Sequence, residues 1–246
     1  MLLYHGSNVE VSNPDATHSR KQVDFGGGFY LTSDIDQAKR WAVSTTFKRG
    51  TGTPIVSVFN LDEQKLTNFV VLRYEGPTKE WLDYVVHNRR TGEPDQYDVV
   101  IGLVANDNVV RTLNDYMEDG NAEIAIMRLE TQTLTDQYAF RTDRALAAIE
   151  LVSSEAADAD GLTGRLHPSI IEFYDRQITE MIADKYKVSY MEAFKMFASS
   201  QTHRMLEQKP YMMCDFGYPA IFEIWETEKE TGNPRNNPYL IGDEHD

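Results

Sequence analysis

The spacing of apolar residues changes character once along the chain, and that change divides the fold into two parts. Before residue 153 short β-rich runs alternate with helical stretches, whereas beyond residue 167 only helical spacing remains. Between them lies SSEAADADGLTG (153–164), poor in large apolar side chains, which is the composition of a linker or long surface loop. This predicts a first domain over 1–152, a linker over 153–166, a helical accessory domain over 167–232 and a flexible tail over 233–246.

In the first part, residues 55–59, 69–74, 97–101 and 138–142 carry the β-branched and aromatic runs of strands. Three helices are expected between them. The first runs over 33–47 and opens with Ser33 and Asp36 in capping-box spacing. The second covers 78–90, and the third covers 107–119 with Asp107 as N-cap and Gly120 as its stop. In the second part, Ile170, Ile171, Tyr174, Ile178, Met181 and Ile182 recur at helical spacing, with further helices over 190–197 and 218–225. The fold class is α+β followed by a small all-α domain. The methionines and aromatics of that second part read as core.

Charge narrows the function. With 24 basic against 39 acidic side chains the net charge is −15, which opposes broad adhesion to phosphate backbones or anionic membranes. Backbone amides and a few local cations still suffice for one small anionic ligand. Cys214 is the sole cysteine, so no intrachain disulfide forms, and no apolar run approaches membrane-spanning length. The expected location is the cytoplasm. No metal-ligand spacing is evident.

Two motifs carry chemistry. Leu3-Tyr4-His5-Gly6-Ser7 leads from an apolar start to a histidine and glycine, and Asp24-Phe25-Gly26-Gly27-Gly28-Phe29-Tyr30-Leu31-Thr32 passes from a glycine run into a β-type segment and the capped helix. Consecutive glycines permit close approach of the backbone to a ligand. The run is neither the dinucleotide fingerprint of a βαβ unit nor a Walker loop, because the required glycine spacing and GK[ST] are missing.

Together with Lys39-Arg40-Trp41-Ala42, these motifs resemble the NAD+ site of ADP-ribosyltransferases of the diphtheria-toxin and poly-ADP-ribose polymerase class. Residues 1–150 also resemble an uncharacterised bacterial family grouped with these transferases, a likeness that includes Tyr97-Asp98-Val99-Val100-Ile101-Gly102 and Ala105-Asn106-Asp107. The resemblance implies a split β-sandwich and NAD+ as substrate, with no metal. It implies that His5 bonds a ribose hydroxyl, that the Gly6 backbone pairs with the nicotinamide carboxamide, and that Ser7 supports the adenine ribose. Gly28 belongs to the cofactor-binding turn, and Tyr30 and Trp41 flank the nicotinamide ring. Residues 168–231 resemble a small helical family that accompanies such domains and suggest a regulatory, antitoxin-like element.

One departure bears on catalysis. The class places a glutamate at the head of a late strand, and here that strand reads Gln137-Tyr138-Ala139-Phe140-Arg141-Thr142. Gln137 stands in the glutamate position. Its amide can bond the ribose hydroxyl but brings no charge to an oxocarbenium-like transition state. Asp107 is the first-ranked substitute acid, ahead of Asp136 and Glu130, and Arg141 is a candidate for pyrophosphate neutralisation. The function expected is mono-ADP-ribosyl transfer, toxin-like, to an unknown protein or nucleic-acid acceptor. A catalytically silent NAD+-binding or ADP-ribose-binding module is the alternative.

Overall fold

The computed structural model describes residues 1–16, 21–103, 107–132, 134–158 and 164–241, without the side chains of residues 107, 108, 110, 111 and 118. Among these, seven strands form one sheet: β1 (Leu2–Ser7), β2 (Phe29–Thr32), β3 (Ile55–Leu61), β4 (Val71–Arg73), β5 (Val99–Leu103), β6 (Asp136–Phe140) and β7 (Ile149–Ala156). Their order is β4-β5-β6-β2-β1-β3-β7. Only β4 and β5 run parallel, as a pair separated by a helical crossover can. That helix is α2 (Lys79–Thr91), N-capped by Thr78.

The α+β class holds. β1 pairs with β3 from Leu2↔Asn60 to Ser7↔Ile55, yet among the described residues it meets β2 at the single pair Tyr4↔Thr32. β2 in turn pairs with β6 from Phe29↔Phe140 to Thr32↔Gln137. The two halves of the sheet are therefore well zipped internally and barely joined to each other.

Alternation along the strands builds a core on each face. Leu3, Phe29, Leu31, Phe59, Tyr138 and Phe140 pack together on one side. On the other, Val100, Ala139 and the partly buried Tyr30 pack with Phe25, Trp81 and Leu113, the last on α3 (Asp107–Asp119). Helix α1 (Ile35–Arg49) lays Ala38 and Ala42 on Val56 and Val58. It approaches β1 at Gly6, where a Cβ would lie 1.9 Å from the Ala38 carbonyl oxygen and 2.6 Å from the Ala42 nitrogen. Any larger residue would force helix and strand apart.

Among the described residues, β7 is followed by the helices α5 (Pro168–Tyr186), α6 (Tyr190–Ala198), α7 (Gln201–Glu207), α8 (Tyr218–Thr231) and α9 (Pro238–Ile241). Tyr174, Ile178, Phe197, Ile221 and Trp225 belong to their common core. This unit is docked on α1. Ser44 Oγ donates to the Tyr211 oxygen at 3.2 Å, the Phe47 and Tyr211 rings meet edge-on at 5.7 Å, and Arg235 Nε donates to the Lys48 oxygen at 3.1 Å.

Several sequence expectations are corrected. The segment assigned to a linker begins inside β7, which continues through Ala156 paired with Ile55 of β3. An edge strand with one half-exposed face tolerates Ser153, Ser154 and Glu155, because pairing and not apolar content holds it. Residues 233–241 of the expected flexible tail are docked: Leu240 is fully buried and Asn237 Nδ2 donates to Glu223 O and Thr227 Oγ1. Residues 242–246 lie outside the described residues. Asp34, not Ser33, caps α1, its carboxylate accepting from Asp36 N at 2.9 Å. Helix α4 (Ala122–Glu130), which sequence spacing did not single out, follows the αL residue Gly120.

Candidate functional site

Where β1 and β2 part, the His5 side chain spans the gap. Its Nδ1 lies 2.8 Å from the Tyr30 carbonyl oxygen. A carbonyl only accepts, so His5 Nδ1 donates this bond. The imidazole also packs against the Phe29 ring, with centroids 4.5 Å apart and the planes tilted by 31°.

The glycine run shapes the next wall. Gly26 sits at φ +75°, a left-handed conformation, and a Cβ there would press on Arg141 Nη2 at 2.8 Å. At Gly28 a Cβ would lie 2.7 Å from the Phe140 oxygen, so the backbone of the turn rests directly on β6. This turn holds Tyr30 from its far end, since the phenol donates to the Gly26 oxygen and accepts from Phe25 N at 3.2 Å. Burial first and the Asp24 carboxylate second push the Tyr30 phenol well above its ordinary range. It stays neutral.

Opposite, α1 presents Trp41, Ser44, Thr45 and Lys48 as one helical stripe of i, i+3, i+4, i+7 spacing. Gln137 enters from β6, beside Thr32, and is 4% exposed. Nearby, Gln37 Oε1 accepts from Thr32 and Thr135, tying the first turn of α1 to the same strands. His5, Gly6, Ser7, Gly28, Tyr30, Trp41 and Gln137 all line one cavity of about 210 Å³. That volume is below the roughly 300–1,000 Å³ of sites that enclose a whole small ligand, so it suits one end of a longer molecule.

Asp107 opens α3, and its side chain lies outside the described residues. Asp136 and Glu130 are not in the lining. Glu130 is exposed at the end of α4. The suggestion for Arg141 is corrected: it lies just past β6, its Nη1 bonded to Asp95 Oδ2 at 2.5 Å and Tyr84 Oη at 2.8 Å, and it is not in the lining. The pull of those partners on a side chain only 7% exposed keeps it from the cavity.

Other charged groups do line it: Asp24, Lys48, Arg49, Arg89 and Asp215. Arg89 Nε donates to Asp24 Oδ1 at 2.6 Å, and both residues are buried. Burial works against the Arg89 charge, and the Asp24 carboxylate more than restores it. Lys48 could have been found by continuing the Trp41 stripe one more turn. Nothing local marks Arg89, Asp215 or Phe216, which meet α1 only through tertiary packing.

Asp215 and Phe216 come from the helical unit, so the second part of the chain completes the cavity wall. Their turn is pinned from within, where the buried Tyr174 phenol faces Cys214 O at 2.9 Å and Phe216 O at 2.6 Å. From outside, Lys48 Nζ sits 4.8 Å above the Phe216 ring.

An α+β domain with a cavity at a parted sheet, closed by a helical unit, is the class of protein these features define. The chain belongs to the family described as "Protein of unknown function (DUF3990)", whose model matches residues 1–151. No curated protein and no solved structure matches it. Among the described residues no group of three or more His, Cys, Asp or Glu side chains is arranged to hold a metal ion, and no helix is long and apolar enough to cross a membrane.

Proposed function

We propose that this cavity binds the nicotinamide end of NAD+ and that the protein is a mono-ADP-ribosyltransferase. The observation that carries this reading is the convergence of His5, Gly6, Ser7, Gly28, Tyr30, Trp41 and Gln137, spread over 133 sequence positions, in the lining of one cavity. Tyr30 and Trp41 offer aromatic faces for a cationic pyridinium ring. His5 offers a polar group held in place by the Tyr30 carbonyl.

In the transfer, the bond from the ribose anomeric carbon to nicotinamide breaks and nicotinamide leaves with the electron pair. An acceptor nucleophile of a protein or nucleic acid forms the new bond and releases its proton. Gln137 bonds a ribose hydroxyl without contributing charge, which makes turnover slow. In this reading the protein is toxin-like, and the helical unit that walls the cavity is its built-in restraint or the dock for an antitoxin-like partner.

The neutral Gln137 favours a second reading, an NAD+-binding or ADP-ribose-binding module without turnover. One experiment separates them: melting temperature with NAD+ and mass-spectrometric release of nicotinamide, for wild type, His5→Ala and Gln137→Glu. Release by wild type that His5→Ala abolishes supports transfer, and Gln137→Glu is expected to raise it on the order of a hundredfold. Stabilisation by NAD+ with no release supports the silent module. Neither stabilisation nor release overturns the assignment of the site.

A further inference from the structure

Most buried polar atoms in the described residues have partners, and Arg89 Nη1 does not. Arg89 is 6% exposed, its Nε is engaged by Asp24, and the residue lines the cavity. Trp81 Nε1 and Thr179 Oγ1 are also buried without partners but lie outside the lining, while Arg49 and Asp215, which do line it, have other interactions. An unmatched N–H on a buried cation costs more than one on a neutral group, so it marks where an acceptor belongs.

The surroundings say which acceptor. The lining holds three cations, Lys48, Arg49 and Arg89, against two carboxylates, Asp24 and Asp215, in a chain of net charge −15. A local positive excess within an acidic protein selects an anion. The guanidinium fork matches phosphate oxygens in particular. Along α1 the step from Trp41 to Lys48 is about 10 Å at 1.5 Å per residue, which separates an aromatic end of the lining from a cationic one.

We infer that Arg89 is the anchor of a phosphate subsite, assisted by Lys48, which takes the phosphate of a phosphate-bearing nucleotide at the junction with the helical unit. Asp24 positions it by holding Nε and leaving Nη1 to the ligand. This rests on the NAD+ reading for the aromatic end, while the subsite itself recognises phosphate whatever base follows.

Calorimetry on the full chain with NAD+, ADP and nicotinamide riboside tests it, using wild type, Arg89→Gln and Arg89→Lys. The expected result is a loss of about tenfold to a hundredfold in affinity for NAD+ and ADP in Arg89→Gln, with nicotinamide riboside unchanged. Arg89→Lys keeps the charge opposite Asp24 and is expected to fold, with a smaller loss confined to the two phosphate ligands. An equal loss for all three ligands, or none for NAD+ and ADP in either variant, overturns the subsite. Wild-type binding of ADP but not NAD+, sensitive to Arg89, retains the subsite and sinks the NAD+ reading. Binding of no phosphate ligand sinks both.

Discussion

His5 Nδ1 and the Tyr30 carbonyl oxygen lie 2.8 Å apart, a side-chain bond placed where β1 and β2 have ceased to pair. The imidazole thereby stands in for a missing rung and holds the mouth of the cavity at a set width. Replacing His5 by Ala should cost about 0.5–1.5 kcal/mol, the usual net worth of one such bond. His5→Asn, which keeps a donor near the Nδ1 position, should recover part of it. Urea midpoints of the three proteins decide the point, and equal midpoints for Ala and Asn would remove the bridging role.

Helix α1 touches β1 through Gly6, and Ala38 O and Ala42 N are backbone atoms that cannot swing aside. Gly6→Ala is therefore expected to destabilise by about 1–3 kcal/mol, the range for overpacking. In a chain of this size that lowers Tm by about 2–12 °C. A Tm within a degree of wild type would show that the helix yields more easily than its packing suggests.

The fully buried Tyr174 phenol faces two carbonyls of the turn that carries Asp215 and Phe216. Tyr174→Phe removes this buried bond, at about 0.5–1.5 kcal/mol. The loss should be local as well as global: amide exchange at residues 213–216 should quicken more than in β3. Equal acceleration everywhere would argue against a pinned turn.

Acid should weaken the protein through Asp98. This carboxylate is 2% exposed, accepts from Arg144 Nε at 2.8 Å, Val70 N at 2.9 Å and Thr142 Oγ1 at 2.9 Å, and so ties β4 to the end of β6. The Arg144 hydrogen bond first, then those from Val70 and Thr142, hold its carboxyl below the ordinary value of 3.8 despite burial. A depressed folded-state value means stability that is present above the unfolded pKa and lost as pH falls through the folded one. The difference in unfolding free energy between wild type and Asp98→Asn should accordingly be constant near neutrality and shrink below about pH 4. A difference that stays constant down to pH 2 would contradict the role given to the ion pair.

Sequence alone determined the elements whose pattern is local. Thr78 caps α2 and Gly120 ends α3 because a side-chain oxygen or a left-handed glycine acts within one turn of its own position. The alternation of 55–59 and 138–142 marked β3 and β6 within two residues at each end. Likewise the stretch from Gly26 to Tyr30, with His5 upstream, already carried the backbone freedom and ring types that the cavity uses.

Tertiary structure decided whatever depends on a distant partner. β7 is a strand because β3 offers it an edge, although Ser153, Ser154 and Glu155 look like linker. Residues 233–241 are ordered by buried contacts with α8 and α1, although glycine, prolines and acidic residues suggested a free tail. Arg89, Asp215 and Phe216 reach the cavity from α2 and from the helical unit, brought together by Asp24, Tyr174 and Lys48. The physical reason is common to all three: a salt bridge, a ladder bond or a docked ring stabilises a segment through groups far away in sequence, and no local periodicity records it.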